Sequence, residues 1–447
     1  MSRQAMSATY GSKADKKSMP ASSSKARPSR RREAPVDGWQ VQSRLFPPLA
    51  KDIQNYLERF PIVLEKARPL KAQFRKDLPR DIETLSRQLT NKRASLKLPY
   101  WSNPASLSAY LYYFLPWNLI RMCRLLGGLQ LPNPASLANP AIIDAGSGPL
   151  TLPIALWLAK PEWREIPLHI IAADPSAQAL KIGKTIFREL SGPGPWRISL
   201  LNSPLDKQPR LLPEILGSNE TPFLLTFANV LNELASRHPV RHKDDISERE
   251  DKQDSLYERL IGNWQDLAEK SEHLKLLFVE PGTRLGGNAI MQIREAALAE
   301  NLYASAPCTH NKPCPLLNSG RHGGSLTSAW CHFTFLPIDV PLWLIKLSEA
   351  AHLTKQSLSI SFLLLQKNAM SQSGEGLPVR ALSQPFKAAG IFGEARYGCA
   401  NCGLAVLENA RNVQSGDLVH AKEPRPEKRD SKHGLPVLQP FQTVAKN

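Results

Sequence analysis

The sequence lacks an apolar run long enough to cross a membrane. The best candidate, residues 109–129, is interrupted by Pro116, Arg121 and Arg124, whereas a membrane-spanning helix needs about 20 predominantly apolar residues. The first residues also lack the apolar stretch of a secretory signal peptide. We therefore predict a soluble, non-secreted protein without a membrane partner. Its six cysteines are expected to stay reduced and to form no structural disulfides.

Acidic residues are scarce relative to basic ones. The 447 residues contain 57 Lys or Arg against 40 Asp or Glu, a net charge of +17. Residues 1–36 hold nine basic residues against two acidic ones, so most of the excess belongs to the rest of the chain. Such a surface attracts polyanions, and nucleic acid is the one that we expect. The Ser- and Arg-rich start is compatible with an organelle transit peptide and with a disordered basic extension.

Composition and periodicity divide the chain into regions. Residues 1–37 and 409–447 are rich in Pro, Ser, Lys and Arg, and we predict that both are disordered tails. Residues 38–135 carry apolar side chains at helical spacing, as at Leu57 and Phe60. This spacing predicts a helical N-terminal domain.

Between residues 136 and 408, short β-rich runs alternate with helical stretches. The runs are Ile142–Ala145, Leu168–Ala173, Arg197–Leu201, Phe223–Ala228, Leu274–Val279, Leu358–Leu365 and Tyr397–Leu407. Strands separated by helices pair in parallel through right-handed crossovers. The region therefore predicts an α/β, Rossmann-like doubly wound sheet, with a hairpin-like return formed by the last two runs.

A glycine turn follows the first predicted strand. Asp144 stands near the end of that strand, and Gly146 and Gly148 lie where the backbone would approach a ligand at the carboxyl edge of the sheet. The second predicted strand ends at Asp174, whose carboxylate can accept both hydroxyl groups of a ribose. The spacing predicts that these four residues bind a nucleotide-type cofactor.

Two details favour S-adenosylmethionine over a dinucleotide as this cofactor. An acidic residue just before the turn is typical of methyltransferases, and Thr151 stands in place of the third glycine that lets a helix approach a pyrophosphate. We therefore predict a class I S-adenosylmethionine-dependent methyltransferase fold. Dinucleotide binding and a structural turn without a ligand are the alternatives.

Asn229, Asn232 and Glu233 follow the fourth predicted strand and are the candidate catalytic residues. They would line a substrate cleft at this position. Many enzymes that methylate an exocyclic base nitrogen carry Asn-Pro-Pro-aromatic here, and this chain does not. A helix cap by Asn229 is an equally good interpretation, so the sequence leaves the catalytic residues unassigned.

Five cysteines lie in the second half of the chain. Cys308, Cys314 and Cys331 fall within 24 residues, and Cys399 and Cys402 form a CxxC pair further on. Three thiols at this density in a reduced protein are typical of metal ligands. The loop between them is rich in Gly, Pro and Ser, as expected of a loop that a metal orders.

The residues alone leave the kind of metal open. A four-thiolate [4Fe–4S] cluster fits the number of cysteines, and zinc fits as well because His310, His322 and His332 lie nearby. Buried free thiols and a catalytic cysteine nucleophile are further interpretations. Cys123 lies in an apolar helical pattern and is predicted to be a core residue.

A specific set of motifs lies between residues 278 and 333. It comprises Phe278-Val-Glu-Pro-Gly-Thr283, Gly286, Arg294, Ala306-Pro-Cys308, His310, Pro313-Cys-Pro315 and Trp330-Cys-His-Phe333. With these motifs the chain resembles the Rsm-type small-subunit ribosomal methyltransferase-like family of bacteria and mitochondria. The resemblance extends over about residues 100–408 and includes the Asp144 turn and the Asn229 segment.

The resemblance implies a class I methyltransferase that acts on small-subunit ribosomal RNA during ribosome assembly or translation. It also implies a [4Fe–4S] cluster in a cysteine-rich insertion at residues 301–345. The implied ligands are Cys308, Cys314, Cys331 and Cys399, with Cys402 as the alternative to Cys399. The alternative function is a non-catalytic iron–sulfur assembly factor that binds ribosomal RNA through the same fold.

The resemblance also indicates partners and location. The expected partner is small-subunit ribosomal RNA or the precursor of the small subunit, with the chain monomeric away from the ribosome. The expected location is the cytoplasm of a bacterium, which we favour, or the mitochondrial matrix of a eukaryote.

Overall fold

The structure is a computed structural model that describes residues 39–91, 100–237, 246–317, 329–369 and 375–441. The disordered tail predicted for residues 1–37 lies outside the described residues. The described chain folds around two β-sheets, one large and one small.

Strands of the described residues are numbered in chain order. They are β1 Val41–Ser43, β2 Pro140–Ala145, β3 Leu168–Asp174, β4 Trp196–Asn202, β5 Thr221–Ala228, β6 Lys275–Pro281, β7 Tyr303–Ala306, β8 Phe333–Phe335, β9 Leu358–Gln366, β10 Leu377–Ala381, β11 Arg396–Ala400, β12 Gly403–Leu407, β13 Leu418–Ala421 and β14 Val437–Leu438. The larger sheet has the order β4-β3-β2-β5-β6-β9-β7, and β8 pairs with β9.

The larger sheet is doubly wound, as the alternating pattern predicts. Strands β2 to β6 pair in parallel, whereas β9 runs antiparallel to β6 and β7. Every residue of β2 and β3 is buried, as expected for parallel strands that helices cover on both faces. The carboxyl ends of β2, β3 and β5 consequently meet at one edge.

Helices flank this sheet. They are α1 Lys51–Ala67, α2 Ala72–Arg75, α3 Leu78–Asn91, α4 Pro104–Ala109, α5 Leu115–Gly128, α6 Thr151–Ala159, α7 Ala177–Ser191, α8 Gln208–Ile215, α9 Leu231–Arg237, α10 Ile246–Lys270, α11 Arg284–Ala299 and α12 Leu342–Ala350. A π-helical turn, Tyr110–Phe114, joins α4 to α5. None of these helices is long and apolar enough to span a lipid bilayer.

Alternate residues of β2 pack into two apolar cores on opposite faces of the sheet. Ile142 belongs to the core that also contains Phe60 of α1 and Leu119 of α5, and Ile143 belongs to the core formed with α10 and α11. Helices α1 and α5 of the predicted N-terminal domain therefore pack on the larger sheet instead of forming a core of their own. Helical spacing marks the buried face of a helix but does not identify what that face packs on.

The smaller sheet corrects two expectations for the end of the chain. Its order is β1-β13-β10-β11-β12-β14, so residues 409–441 supply two strands where we expected a disordered tail. The expected hairpin of Leu358–Leu365 with Tyr397–Leu407 does not form, because β9 pairs within the larger sheet and β11 pairs with β12. Small interior residues such as Val379 and Ala400 explain the weak apolar signal.

Candidate functional site

The predicted glycine turn joins β2 to α6 at the carboxyl edge of the larger sheet. Gly146 and Gly148 have φ angles of +75° and +53°, which glycine adopts without steric cost. The Gly146 N–H donates to Ala173 O at 2.8 Å and ties the turn to β3. A Cβ atom at position 146 would lie 2.4 Å from Cγ2 of Val230, so this position requires glycine.

Asp144 lies beneath the turn and is 1% exposed. Its Oδ1 accepts a hydrogen bond from Thr226 Oγ1 at 2.6 Å. Burial raises the pKa of Asp144 to about 6, although the hydroxyl groups of Ser147 and Thr226 lower it. Oδ2 has no hydrogen-bond partner within the described part of the chain. A buried acceptor is costly without a donor, so Oδ2 marks a place where a ligand or water donor fits.

Asp174 stands at the end of β3, beside the turn. Its Oδ2 accepts the Gly148 N–H at 3.0 Å, and its Oδ1 accepts the Ser176 N–H at 2.7 Å. A carboxylate offers about four acceptor sites, so holding the turn is compatible with a role toward a ribose. The structure thus brings the four predicted cofactor residues, Asp144, Gly146, Gly148 and Asp174, to one edge of the sheet.

An aromatic side chain covers the turn. A Cβ atom at Gly148 would lie 3.6 Å from Cζ2 of Trp101, and Trp101 is 7% exposed. Its ring packs on that of Tyr110, with centroids 4.7 Å apart. A cofactor at this edge would therefore bind beside an indole ring from the N-terminal helical layer. No motif in the sequence indicated this residue.

Asn229, Asn232 and Glu233 follow β5 at the same edge. Asn229 has a φ of +61°, Asn232 is buried and Glu233 is half-buried. The sequence offered Asn229 as the residue that caps the following helix. In the structure, the Leu231 N–H at the start of α9 donates instead to Glu280 Oε1 of β6, at 2.7 Å. These two residues are 49 positions apart, so local patterns give no signal for their contact.

Four of the predicted metal ligands line one cavity. Cys308 and Cys314 come from the segment after β7, Cys331 precedes β8, and Cys399 lies in β11. The cavity measures about 30 Å³, and a single water needs roughly 10–15 Å³. Cys402 is exposed on the turn after β11 and does not line the cavity. The structure therefore brings four of the five thiols together.

Two buried arginines lie in the wall of this cavity. Arg294 of α11 donates through Nη2 to the carbonyl oxygens of His310 and Lys312, at 2.9 and 2.8 Å. Arg380 of β10 donates through Nε to Pro307 O at 2.9 Å. Through these hydrogen bonds the two arginines link the segment that contains Cys308 to α11 and β10. Their charges are weakly screened there, so they favour negatively charged thiolates.

Burial governs the protonation of the thiols. It raises the pKa of Cys314, Cys331 and Cys399, and neighbouring thiols raise it further. Within the described ranges, no group of three or more His, Cys, Asp or Glu side chains is arranged to hold a metal ion. Among the described residues this finding supports neither zinc nor an iron–sulfur cluster. The donor set, four thiols around one cavity, has the number of thiolates that a zinc ion or a [4Fe–4S] cluster takes.

Three histidines made zinc an alternative metal in the sequence, and they do not share one location in the structure. His310 lines the cavity, and its Nε2 lies 3.6 Å from Cys399 Sγ. Burial lowers the pKa of His310 to about 4, so its imidazole is neutral. His332 does not line the cavity, and His322 lies outside the described residues.

The strand order and the turn define the class of the protein. Strands β2 to β6 have the spatial order of a doubly wound nucleotide-binding sheet, and an antiparallel strand, β9, stands between β6 and β7. With an acidic residue before the glycine turn, this is the architecture of class I S-adenosylmethionine-dependent methyltransferases. The chain belongs to the Rsm22 family, described as mitochondrial small ribosomal subunit Rsm22, whose model matches residues 105–337.

Several solved structures are similar to the chain. A protein of Listeria monocytogenes described as a class I S-adenosylmethionine-dependent methyltransferase has 11% identity, a TM-score of 0.28, and coverage of 72% of this chain and 89% of that one. The METTL16 methyltransferase domain has 13% identity, a TM-score of 0.28, and coverage of 65% and 96%. The CMeT domain of citrinin polyketide synthase has 13% identity, a TM-score of 0.29, and coverage of 75% and 84%. No curated protein matches the chain.

Proposed function

We propose that this protein is a mitochondrial methyltransferase that binds S-adenosylmethionine and acts on small-subunit ribosomal RNA. The observation that carries the proposal is the membership of residues 105–337 in the Rsm22 family, combined with an edge at which Asp144 and Asp174 flank a glycine turn. The family description favours the mitochondrial matrix over the cytoplasm that the sequence favoured.

In this function, each residue at the carboxyl edge of the larger sheet contributes to binding of the cofactor or of the RNA. Asp174 binds the ribose hydroxyl groups, and Asp144 Oδ2 accepts a donor of the cofactor or of an ordered water. Gly146 and Gly148 let the cofactor approach the backbone. When bound, S-adenosylmethionine supplies an electrophilic methyl group, which the edge orients toward the RNA. The candidates for holding the acceptor base are Asn229, Asn232 and Glu233.

We also propose that Cys308, Cys314, Cys331 and Cys399 hold a [4Fe–4S] cluster. These ligands join the segment after β7, the segment before β8, and β11. The cluster would therefore cross-link the smaller sheet to the larger one. Its role would be structural, and it would take no part in methyl transfer. The buried arginines of the wall offset the negative charge of four thiolates.

A non-catalytic assembly factor is the second candidate function. This candidate is favoured because side chains of the protein itself already contact the glycine turn at the carboxyl edge of the larger sheet. Val230 and Trp101 lie against the turn, and Asp174 already accepts the Gly148 N–H. Such an edge serves as a structural joint as well as a cofactor site.

Mass spectrometry of small-subunit ribosomal RNA separates these candidates. RNA from cells lacking the protein is compared with RNA from cells complemented by wild type or by Asp174→Ala. A methyl group that disappears and returns only with wild type supports the enzyme. An unchanged methylation pattern, with subunit assembly restored by both chains, supports the assembly factor. If the protein does not co-sediment with the small subunit or its precursors, both candidates are wrong.

A further inference from the structure

Five strands of the smaller sheet close into a barrel. β10, β11 and β12 follow one another antiparallel, β10 also pairs with β13, and β12 pairs in parallel with β14. The chain beyond β14 then returns to the end of β13, because Lys422 N–H donates to Gln439 O and Phe441 N–H donates to His420 O, each at 3.0 Å. The ring is therefore β10-β11-β12-β14-β13, and β1 is added outside it.

This connectivity is that of an OB-fold. The first strand pairs with the second and the fourth, and the third strand pairs in parallel with the fifth. OB-folds bind oligonucleotides or oligosaccharides on the outer face of their second and third strands, between the loop after the first strand and the loop after the fourth. In this chain that face belongs to β11 and β12. The first loop is residues 382–395, and the second loop is residues 422–436.

The outer face of β11 is divided between two surroundings. Cys399 lines the cysteine cavity, so its part of the face is covered. Tyr397, two positions earlier, shares this face. Its ring lies 4.5 Å from that of Phe386 in the first loop and 6.1 Å from that of His433 in the second loop. These three half-buried rings form a partly accessible row, and Phe386 and Tyr397 also pack against the buried cluster of Val406 in β12 and Val437 in β14.

The two loops add an exposed aromatic ring and positive charge. Phe392 of the first loop is 71% exposed. The second loop contains five Lys or Arg against three acidic residues. Of these, Lys428 is paired with Glu408, and Asp430 is buried and accepts N–H groups of its own loop. Arg425, Arg429 and Lys432 are exposed. Cationic side chains suit a phosphate backbone and give no advantage with a neutral sugar.

We propose that this barrel binds unpaired nucleotides of RNA between its two loops. Bases stack on Phe392 and on the row of Phe386, Tyr397 and His433, while phosphates lie along the basic second loop. Aromatic platforms combined with a cationic groove are the means by which OB-folds bind single strands with little sequence preference. The inference rests on the proposed function, because it names the surface through which a small-subunit protein holds RNA.

Fluorescence anisotropy with the full-length protein tests the stacking. The probe is a labelled oligouridine of roughly 12 nucleotides, within the range that OB-folds cover. Phe392→Ala should weaken binding about tenfold, and Phe392→Trp should retain it. Phe74→Ala is the matched control, since Phe74 of α2 is also an exposed phenylalanine, at 50% exposure. It should leave the affinity unchanged.

A salt titration tests the role of the phosphates. Changing both Arg425 and Lys432 to Glu should make the dependence of log K on log salt shallower, by about 0.7 for each phosphate that the variant no longer neutralises. The matched control changes Lys51 and Lys71 to Glu, because both are exposed on the helical layer. The control slope should stay at the wild-type value.

Three results would overturn the inference. They are equal affinity of wild type and Phe392→Ala, equal affinity for a duplex of the same length, and displacement of the oligouridine by a neutral oligosaccharide. The assay needs no ribosome, so it is independent of the proposed function. A protein that binds oligouridine through Phe392 but does not co-sediment with the small subunit keeps this inference and contradicts the proposed function.

Discussion

At the scale of single residues, two carboxylates at the same edge have different surroundings. Asp144 is buried with one oxygen lacking a partner in the described residues, and burial raises its pKa. Asp174 accepts hydrogen bonds from two backbone N–H groups, those of Gly148 and Ser176. Asp144 is therefore expected to respond to pH, whereas Asp174 holds the turn.

The raised pKa of Asp144 predicts a pH dependence of stability. This pKa is about 6 in the folded chain against an ordinary value of 3.8, so the folded state binds more protons than the unfolded state between these values. The contribution of Asp144 to the free energy of unfolding therefore falls as pH rises from about 4 to about 6, by about 1.4 kcal/mol per pKa unit. Asp144→Asn should lack this fall. Urea unfolding of both chains across this range measures it, and a constant difference between them would contradict the prediction.

Asp174 predicts a change in cofactor affinity. Asp174→Ala removes a charge-assisted hydrogen bond, which contributes about 1.5–3 kcal/mol, so S-adenosylmethionine should bind roughly ten- to a hundredfold more weakly. Isothermal titration calorimetry measures this. Asp206→Ala, which removes an exposed carboxylate after β4, is the control and should bind as wild type does. Equal affinity of all three chains, or no binding by wild type, contradicts the cofactor assignment.

At the scale of elements, some of the fold could be predicted and some could not. The larger sheet has buried strands that contain β-branched residues, such as the Ile142-Ile143 pair of β2, and these give a strand signal. The barrel has short strands with interior residues such as Ala400 and Ala405, which give a weak one. The Asp144 turn is a local motif and was predictable. The contacts of Glu280 with α9, and of Trp101 with the turn, join distant segments and were not.

The cysteine cavity joins three elements, and this predicts the outcome of single serine substitutions. If a [4Fe–4S] cluster is bound, protein purified without oxygen should be brown and contain about four irons with four sulfides. Cys331→Ser and Cys399→Ser should lose iron and loosen the junction between the sheets, because metal binding is coupled to folding. Cys402→Ser should keep its iron, since Cys402 lies outside the cavity.

Cys123→Ser supplies the control for these variants. Cys123 is buried in α5, and its Sγ lies 3.7 Å from Ala155 O, a carbonyl oxygen that can accept a hydrogen bond from serine. The change should leave iron content unaltered and stability close to that of wild type. If Cys402→Ser loses iron and Cys399→Ser keeps it, the fourth ligand is Cys402 and not Cys399. Full retention of iron in every variant would contradict the cluster.

At the scale of the whole molecule, positive charge is shared between the N-terminal segment and the body. Residues 1–36 carry nine basic and two acidic residues of a chain with a net charge of +17, so the larger part of the excess lies in the remainder. The body also holds the barrel, the sheet edge and the cysteine cavity. RNA contact by the body should therefore provide specificity, and the N-terminal segment should add affinity that depends on salt.

Deletion of residues 1–36 separates these contributions. The shortened chain should retain most of its specific binding to small-subunit RNA, while its affinity should fall less steeply with salt, because fewer counterions are released on binding. A full-length chain with the nine Lys and Arg of this segment changed to Gln is the matched control, since it keeps the length and removes the charge. Filter binding over a salt series should give both chains the same reduced slope. If the deletion abolishes all association with RNA, recognition lies in the N-terminal segment and the body is not the binding surface.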